Sequence, residues 1–429
     1  MNKRIAIING LRTPFCKIGG VLRKTGADDL GAFVVKELIA QTCLPVEDID
    51  EIIFGNVAQP FNASNIARVV ALKSNLPETL PAYTVQRNSA SGIEALASAA
   101  NRILSGEAEI IVVGASESMS QIPHLLNKKM SDFFLSFHHK KSLAKKLSAF
   151  LSLRPSHLRP ISGLEKLCAD PIYGTSMLEK GESLARKFKI AREMQDEYAL
   201  LSLQRTNKAI KSGFLKEEII PIPLPAEFHS YQEEDDASCL NISMKALKEL
   251  PPIFDKATGS ITRGNSHQMA DGATAILLIE EKKAEKMNLK PLGYLRDYSY
   301  IGLEEKDIGL GPTYATAKLL DKTKLSFENF DLIEMNEVSA AQVLANEQAF
   351  SSLSFSRSSM KRNKPIGKID RDKLNVNGGA IALGTPLGSA GNRLVITLLK
   401  ELKRRKQKLG LVALCIEGGQ GVALALETD

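Results

Sequence analysis

The stretch SASGIEALASAANRILSGEAEIIVVGASES at residues 89–118 couples a helix to a strand and indicates the fold class. Its first part, 89–104, is a helix-forming segment that opens with small residues. The part 108–118 contains a continuous apolar run, which is typical of a strand buried on both faces of a parallel sheet. A second apolar run, IDEIIFGNV at 49–57, comes before the helix. The chain therefore alternates strand, helix and strand, as α/β proteins do.

The same order of elements returns near the other end of the chain. FDLIEMNEV (330–338) predicts a strand, GSAGNRLVITLLKELK (388–403) a helix that opens with small residues, and LGLVALC (409–415) a second strand. The two copies align at an offset of about 300 residues, both at the helix start and at the strand after it. This repeat indicates an internal duplication, so we expect an α/β protein of two similar halves with mostly parallel sheets.

The composition is that of a globular protein and excludes several functional classes. The 429 residues are 44% hydrophobic and 24% charged, with a formal net charge of +7. The longest apolar runs are too short to span a bilayer, and the N-terminus does not resemble a secretory signal. The five cysteines form no C-x-x-C pair, which argues against a zinc site and predicts a reducing compartment, the cytoplasm. The modest positive charge comes without a nucleic-acid-binding module, so we expect no nucleic-acid partner.

A stretch of different character separates the two halves. We predict an N-terminal half at 1–120 with 250–283, an inserted loop domain at 121–249 and a C-terminal half at 284–429. The insertion is rich in Lys, His and Ser at first, continues as a polar helix predicted over 183–210, and ends in an acidic loop. Loops of this length are usually functional, so we expect the insertion to cover the site where strand ends collect. A solvated segment without a role is the alternative.

One part of the insertion, HHKKSLAKKLSAFLSL at 138–153, predicts an amphipathic helix with lysines beside its apolar face. Leu143, Leu147, Phe150 and Leu151 would share that face. Such a helix could bind a partner protein or a membrane surface, or could pack as an ordinary surface helix on its own domain.

Several stretches resemble the motifs of the thiolase superfamily. TVQRNSASGIEAL (84–96) resembles the nucleophile loop, in which a cysteine stands two residues before Ser-Gly. NVNGGAIALGTPLGSAG (375–391) resembles the C-terminal glycine-rich loop, which carries Gly-His-Pro in the family. The resemblance covers the whole chain through RTPFCKIGG (12–20), RGNSHQMADGA (263–273), MNEVSAAQ (335–342) and LCIEGGQGVA (414–423).

The resemblance implies a thiolase-like fold, in which two duplicated βαβαβαββ halves form a five-layer α/β/α/β/α arrangement plus the inserted loop domain. It also implies an acetyl-CoA acyltransferase, or 3-ketoacyl-CoA thiolase. The length, the basic segment after 121 and GLGPTYAT (309–316) favour the type that forms the β-subunit of the trifunctional fatty-oxidation complex.

The chemistry of that family depends on two residues that this chain replaces. In the family a cysteine thiolate attacks a 3-ketoacyl-CoA, a histidine activates it, a second cysteine moves the α-carbon proton and an oxyanion hole holds the enolate. Here Ser89 stands at the nucleophile position and Thr385 at the histidine position. A thiol is partly ionised at neutral pH whereas an alcohol is not, so serine needs an adjacent base. The chain has no histidine after His267, so we expect thiolysis to be lost or strongly reduced.

The resemblance implies further site residues. Cys415 matches the second catalytic cysteine and Asn336 a catalytic asparagine. His267 stands where a small hydroxyl residue lies near the pantetheine arm. It could serve Ser89 as a base, form a polar wall, or narrow the CoA tunnel. Cys415 could be a poised acid or base, or a small buried apolar residue at a strand end. The positions expected to bind substrate or CoA are Ser266, His267, Gly384, Gly418 and Gly419.

The other cysteines and the paired histidines have simpler interpretations. Cys16, Cys43, Cys168 and Cys239 are assigned to packing. His138 and His139 point apart on a helix, so we interpret them as part of a solvated face rather than as metal ligands.

Three functional interpretations remain open. The first is a thiolase-family acyltransferase-like protein of fatty acid (3-ketoacyl-CoA) metabolism with little thiolysis left. The second is a non-catalytic acyl-CoA-binding or scaffold subunit of a fatty-oxidation complex. The third is a different acyl-CoA reaction that uses Ser89 or Cys415. CoA is the expected ligand, and we expect neither a covalently bound cofactor nor a metal. The resemblance implies a homodimer, with a hydratase/dehydrogenase subunit as a possible partner.

Overall fold

The computed structural model describes residues 3–224, 230–236 and 242–429. It contains two compact units, Met1–Ser120 with Met177–Asp429, and Gln121–Ser176. The predicted limits of the two halves and of the insertion stay a prediction. Cys239, which the sequence analysis assigned to packing, lies outside the described residues.

The strands are mostly apolar and most of their residues are buried, as the sequence runs predict. Their bounds are β1 Ile5–Arg12, β2 Cys16–Lys17, β3 Glu51–Gly55, β4 Ala82–Val85, β5 Ile110–Glu117, β6 His124–Leu125, β7 Ile161–Ser162, β8 Ile222–Pro223, β9 Tyr231–Gln232, β10 Ala270–Glu280, β11 Gly293–Gly302, β12 Leu332–Met335, β13 Leu409–Ile416 and β14 Gln420–Glu427.

The helices alternate with these strands. Their bounds are α1 Ala27–Thr42, α2 Ile66–Lys73, α3 Ser91–Ser105, α4 Lys128–His138, α5 Leu143–Leu151, α6 Gly163–Cys168, α7 Met177–Lys187, α8 Arg192–Lys211, α9 Met244–Glu249, α10 Glu281–Lys286, α11 Gly311–Thr323, α12 Ala340–Ser351, α13 Leu353–Met360, α14 Ala380–Leu383 and α15 Ala390–Arg405.

The sheet of the larger unit shows the duplication directly. Its strand order is β12-β13-β14-β11-β1-β10-β5-β3-β4. In the N-terminal part β1, β10 and β5 pair antiparallel, whereas β5, β3 and β4 pair parallel. The C-terminal part repeats this pattern, with β11, β14 and β13 antiparallel and β13 and β12 parallel. A parallel bridge from Ile333 to Leu374 takes the place of its fifth strand. Each part is thus mixed, and the prediction of mostly parallel sheets is wrong, because parallel pairing is confined to the outer strands of each part.

Helices form the remaining layers. Buried residues of α1 and α2, such as Val34 and Val70, pack on the outer face of the N-terminal part of the sheet. Helices α11 and α12 pack on the outer face of the C-terminal part. Between the two parts lie α3 and α15, whose residues, such as Leu96 and Leu398, share one core with strands from both parts. Burial of each such side chain contributes about 1.5–3 kcal/mol. The arrangement confirms the predicted five layers.

The two central helices meet at their N-terminal ends, which is where the candidate site lies. A Cβ at Gly92, in the first turn of α3, would fall 2.7 Å from the amide carbon of Asn392 in the first turn of α15. Only glycine permits this approach, and it explains why both helices open with small residues.

The structure corrects three local predictions. The helix predicted over 183–210 is two helices, α7 and α8, because the chain turns at Lys189 with φ 54°. The single helix predicted over 138–153 is wrong at its start: His138 is the last residue of the preceding helix α4, and the next helix, α5, begins at Leu143. Cys43 does not pack in the core but is exposed in a left-handed conformation at the C-terminus of α1.

Candidate active site

Ser89 lies in a tight turn immediately before α3. Asn88 has φ 45°, a left-handed conformation that asparagine tolerates better than most residues. The turn is closed by the amides of Ala90 and Ser91, which donate to the carbonyls of Arg87 and Asn88 at 3.0 and 2.9 Å. The side chain of Ser89 is buried, and its hydroxyl donates to the carbonyl oxygen of Cys415 at 3.3 Å. Ser89 therefore stands beside the end of β13.

Cys415 lies one residue before the end of β13 and is fully buried. Burial raises the pKa of its thiol above the usual range, and the charge of Glu417 raises it further. The thiol is therefore protonated at neutral pH. The hairpin turn to β14 contains Gly418 (φ 81°) and Gly419 (φ 76°), both in the left-handed region that favours glycine. The two glycines shape this turn beside Ser89.

Thr385 and His267 lie on neighbouring segments. The amide of Thr385 donates to the carbonyl of Gln268 at 2.9 Å, and the amide of Ala270 donates to the carbonyl of Thr385 at 3.0 Å. On the other side, the amide of His267 donates to the carbonyl of Val338 at 3.1 Å. The segment that carries His267 therefore joins the loop of Thr385 to the loop that follows β12.

Asn336 and Glu337 follow β12 and have different environments. The amide of Asn336 donates to the carbonyl of Ala413 at 3.0 Å, which fixes this loop next to β13. The carboxylate of Glu337 is fully buried and accepts four hydrogen bonds, which hold the loop in place. Its donors are the hydroxyls of Tyr198 and Ser202 at 2.8 Å, the amide nitrogen of Asn375 at 2.9 Å and the backbone of Ile381 at 3.1 Å.

Three buried polar atoms of these segments have no hydrogen-bond partner within the described parts of the chain. They are Oδ1 of Asn336, Oγ1 of Thr385 and Nδ1 of His267. Burial lowers the pKa of His267 to about 4, so its ring is neutral at physiological pH. A buried polar atom without a protein partner is explained by a ligand, an ordered water or a catalytic role. The three atoms form a polar set on adjoining loops.

The structure thus places the predicted residues on five segments joined by hydrogen bonds. Ser89 contacts Cys415 directly, but its hydroxyl does not bond to a ring nitrogen of His267 in the described part of the structure. Of the remaining predicted positions, Gly384 ends the short helix α14, and the hydroxyl of Ser266 donates to the carbonyl of Thr262 at 2.7 Å. The functional roles of these residues stay predictions.

Sequence reasoning missed Glu417. Its carboxylate accepts the backbone N–H of Ser89 at 3.0 Å, and its carbonyl accepts the side-chain amide of Asn88 at 2.9 Å. The available signal was that Glu417 is the only charged residue between Cys415 and Gly421, in a loop otherwise made of small and neutral residues.

The described residues contain no group of three or more His, Cys, Asp or Glu side chains that could hold a metal ion. Within the same ranges, none of the helices is both long and apolar enough to cross a bilayer.

Comparison with protein families gives two matches that together span almost the whole chain. Residues 5–282 match the family described as "Thiolase, N-terminal domain", and residues 289–428 match "Thiolase, C-terminal domain".

Curated relatives and solved structures agree with these matches. A 3-ketoacyl-CoA thiolase of Yersinia pestis (strain Pestoides F) is 37% identical over 430 aligned positions, covering 99% of this chain and 97% of the relative. The crystal structure of Bacillus anthracis acetyl-CoA acetyltransferase superposes with a TM-score of 0.87 at 33% identity and full coverage of both chains. Human mitochondrial 3-ketoacyl-CoA thiolase in complex with CoA superposes with a TM-score of 0.85 at 32% identity, covering 100% of this chain and 98% of that one.

Proposed function

The chain belongs to the thiolase family, and from that membership we propose that it binds CoA and acyl-CoA in 3-ketoacyl-CoA metabolism with thiolysis lost or strongly reduced. The observation that carries the proposal is the hydrogen bonding of Ser89 and the protonation of Cys415. The hydroxyl of Ser89 donates to a backbone carbonyl, not to a base, and the thiol of Cys415 is buried and protonated. Neither group is ionised at neutral pH, so the hydroxyl is not ready to attack a ketone and the thiol is not ready to accept a proton.

Binding is supported by the polar set on adjoining loops. Asn336, Thr385 and His267 each keep a buried polar atom without a protein partner, although hydrophobic side chains would pack there at lower cost. A solved relative, the human mitochondrial 3-ketoacyl-CoA thiolase, was crystallised in complex with CoA. CoA and its thioesters are therefore the ligands that we propose for these loops.

Calorimetric titration tests the binding. We expect CoA and acetyl-CoA to bind with a Kd in the micromolar range, equivalent to about −8 kcal/mol. The absence of heat, together with failure of millimolar CoA to displace a labelled acyl-CoA, would refute the proposal.

Thiolysis of acetoacetyl-CoA and of a long-chain 3-ketoacyl-CoA tests the loss of activity. We expect little turnover by the wild type, and little gain from Ser89→Cys or Thr385→His alone, because each restores half of one relay. Removing a member of a comparable relay costs around 10⁴-fold, and such losses are far from additive. The double variant should therefore exceed the product of the single gains. Robust turnover by the wild type would show that Ser89 and Thr385 are not disabling.

A scaffold role is favoured by a separate observation on the smaller unit. In α5, Leu143, Leu147, Phe150 and Leu151 are all more than 60% exposed, and Lys145 lies exposed among them. An apolar face flanked by lysines suits a partner protein or an anionic membrane surface. We propose that this helix attaches the protein to a hydratase/dehydrogenase subunit or to a membrane, that the protein is a homodimer, and that it functions in the cytoplasm.

A further inference from the structure

The backbone N–H of Ser89 already has an anionic partner inside the protein. Ala90 and Ser91 close the turn with their own amides, whereas the backbone amide of Ser89 points to the β13–β14 hairpin. It donates to Oε2 of Glu417 at 3.0 Å. Glu417 is only partly exposed, and its carboxylate also acts on the buried thiol of Cys415. One acidic side chain thus contacts Ser89 at the nucleophile position and also acts on Cys415, which matches the second catalytic cysteine.

The carboxylate occupies a backbone amide that could otherwise bind an oxygen of the substrate. When a side chain forms an acyl intermediate, the backbone N–H of that same residue is a natural donor to the oxygen on which negative charge develops. The first turn of α3 adds the positive end of a helix dipole. A carboxylate that accepts this N–H takes the donor and repels a second negative charge at the same place.

We propose that Glu417 is a specificity-determining residue, whose carboxylate occupies the anion-binding N–H of Ser89 and excludes the acyl oxygen of a substrate from it. The inference rests on the proposed function for its consequence, which is that the site accepts CoA but does not activate an acyl group. It adds a third obstacle to thiolysis, independent of the serine and the threonine.

A purely structural role for Glu417 would be to hold the hairpin turn against the loop of Ser89. Other bonds already do so, since Asn88 donates to the carbonyl of Glu417 and the hydroxyl of Ser89 donates to the carbonyl of Cys415. The cation of the Ser89 loop, Arg87, is paired with Glu94 at 2.7 Å and also donates to Gln420 at 2.7 Å. The carboxylate is therefore not needed to attach the turn, and no ion pair neutralises it within the described residues.

The direct test places a thiol at the site and measures its reactivity, which requires no bound ligand. In a Ser89→Cys background, Glu417→Gln keeps the size and a hydrogen-bond acceptor but removes the charge. We expect it to lower the apparent pKa of the introduced thiol by at least about one unit, since an adjacent carboxylate disfavours a thiolate. We also expect the rate of alkylation by anionic iodoacetate to rise about tenfold more than the rate with neutral iodoacetamide.

Each rate is measured at the introduced thiol by peptide mass spectrometry over pH 6–10, a range chosen to span ordinary thiol titration. The exposed Cys43 provides an internal reference in every sample. Glu285→Gln on α10, also exposed, is the matched control and should change neither quantity. Equal pH profiles and equal reagent ratios with and without Glu417→Gln would overturn the proposal, whereas a merely structural residue would alter stability but not the reagent ratio.

A second arm uses the natural serine. The wild type should bind acetyl-CoA and CoA with Kd values within about twofold of each other, whereas Glu417→Ala should favour acetyl-CoA by about tenfold, because the acyl oxygen gains a donor. An unchanged ratio in Glu417→Ala would also count against the role of Glu417. Failure of the wild type to bind either compound would instead refute the proposed function, and the alkylation experiment would still decide the role of the carboxylate.

Discussion

Replacing His267 with serine should remove a specific part of the acid sensitivity of the fold. Burial lowers the pKa of His267 from 6.5 to about 4, so the folded protein holds a neutral ring where the unfolded chain holds a charged one. The sign follows from proton binding. Below pH 6.5 the unfolded state takes up a proton that the folded state cannot, so stability falls as pH decreases and levels off near pH 4. His267 therefore contributes no penalty above pH 6.5.

The magnitude follows from the same shift. Each pKa unit corresponds to about 1.4 kcal/mol, so the penalty is about 2 kcal/mol at pH 5 and about 3.4 kcal/mol once the shift is fully expressed. The assay is urea unfolding of the wild type and of His267→Ser at pH 7.5, 6.5, 5.5 and 5, followed by circular dichroism. Other titrating groups act in both proteins and cancel in the difference.

The control for this prediction is His139→Ser, since His139 is exposed on the surface. The stability gap between His267→Ser and the wild type should move by about 2 kcal/mol in favour of the variant from pH 7.5 to pH 5, measured against the gap of His139→Ser as the baseline. A gap that stays constant with pH would refute the reasoning, even if the variant is more or less stable at every pH.

Two further predictions concern the smaller unit and the core. Changing Lys141, Lys145 and Lys146, on α5 and in the loop before it, to glutamate should leave folding intact but abolish binding to anionic vesicles or to the partner subunit. The control changes three exposed lysines on and after α10, Lys282, Lys286 and Lys290, to glutamate and should not abolish binding. Retention of both kinds of binding would make α5 an ordinary surface helix. In the core, Arg393 and Glu334 form an ion pair at 3.0 Å with both side chains about 3% exposed. Arg393→Met should cost about 3–5 kcal/mol in urea unfolding, because it removes the partner of a buried carboxyl group whose pKa burial already raises to about 8. Adding Glu334→Leu should recover most of that loss. A double variant no more stable than Arg393→Met would contradict this account.

Much of the fold could be predicted because its signals are local. The apolar run at 108–118 contains β5, Ile110–Glu117, and the helix expected over 89–104 is α3, Ser91–Ser105. The break at Lys189 could not be seen, because a lysine in a left-handed conformation leaves no mark in a polar helical sequence. Boundaries and breaks depend on tertiary contacts, which propensity does not contain.

The candidate site was predictable only where a motif carried it. Ser89, Thr385 and Cys415 were found because each stands in a motif whose neighbours are recognisable. The lone charge in its loop could have singled out Glu417, but its contact with Ser89 joins residues 328 positions apart, which no local pattern could indicate. The depressed pKa of His267 is likewise a product of burial, which is a property of the fold and not of the residues beside it.

The pairing of β1 also determines how long this strand stays unpaired while the protein is synthesised. β1 is complete at residue 12, but its partners are Thr274–Glu280 of β10 and Gly293–Leu295 of β11. At a synthesis rate of about 5–20 residues per second, the first strand waits roughly 15–50 s on the ribosome before its first partner exists. The two halves are joined by the pairing of their first strands, β1 and β11. Until β10 is synthesised, β1 is an unpaired apolar strand, and other proteins of the cell must keep it from pairing with another chain.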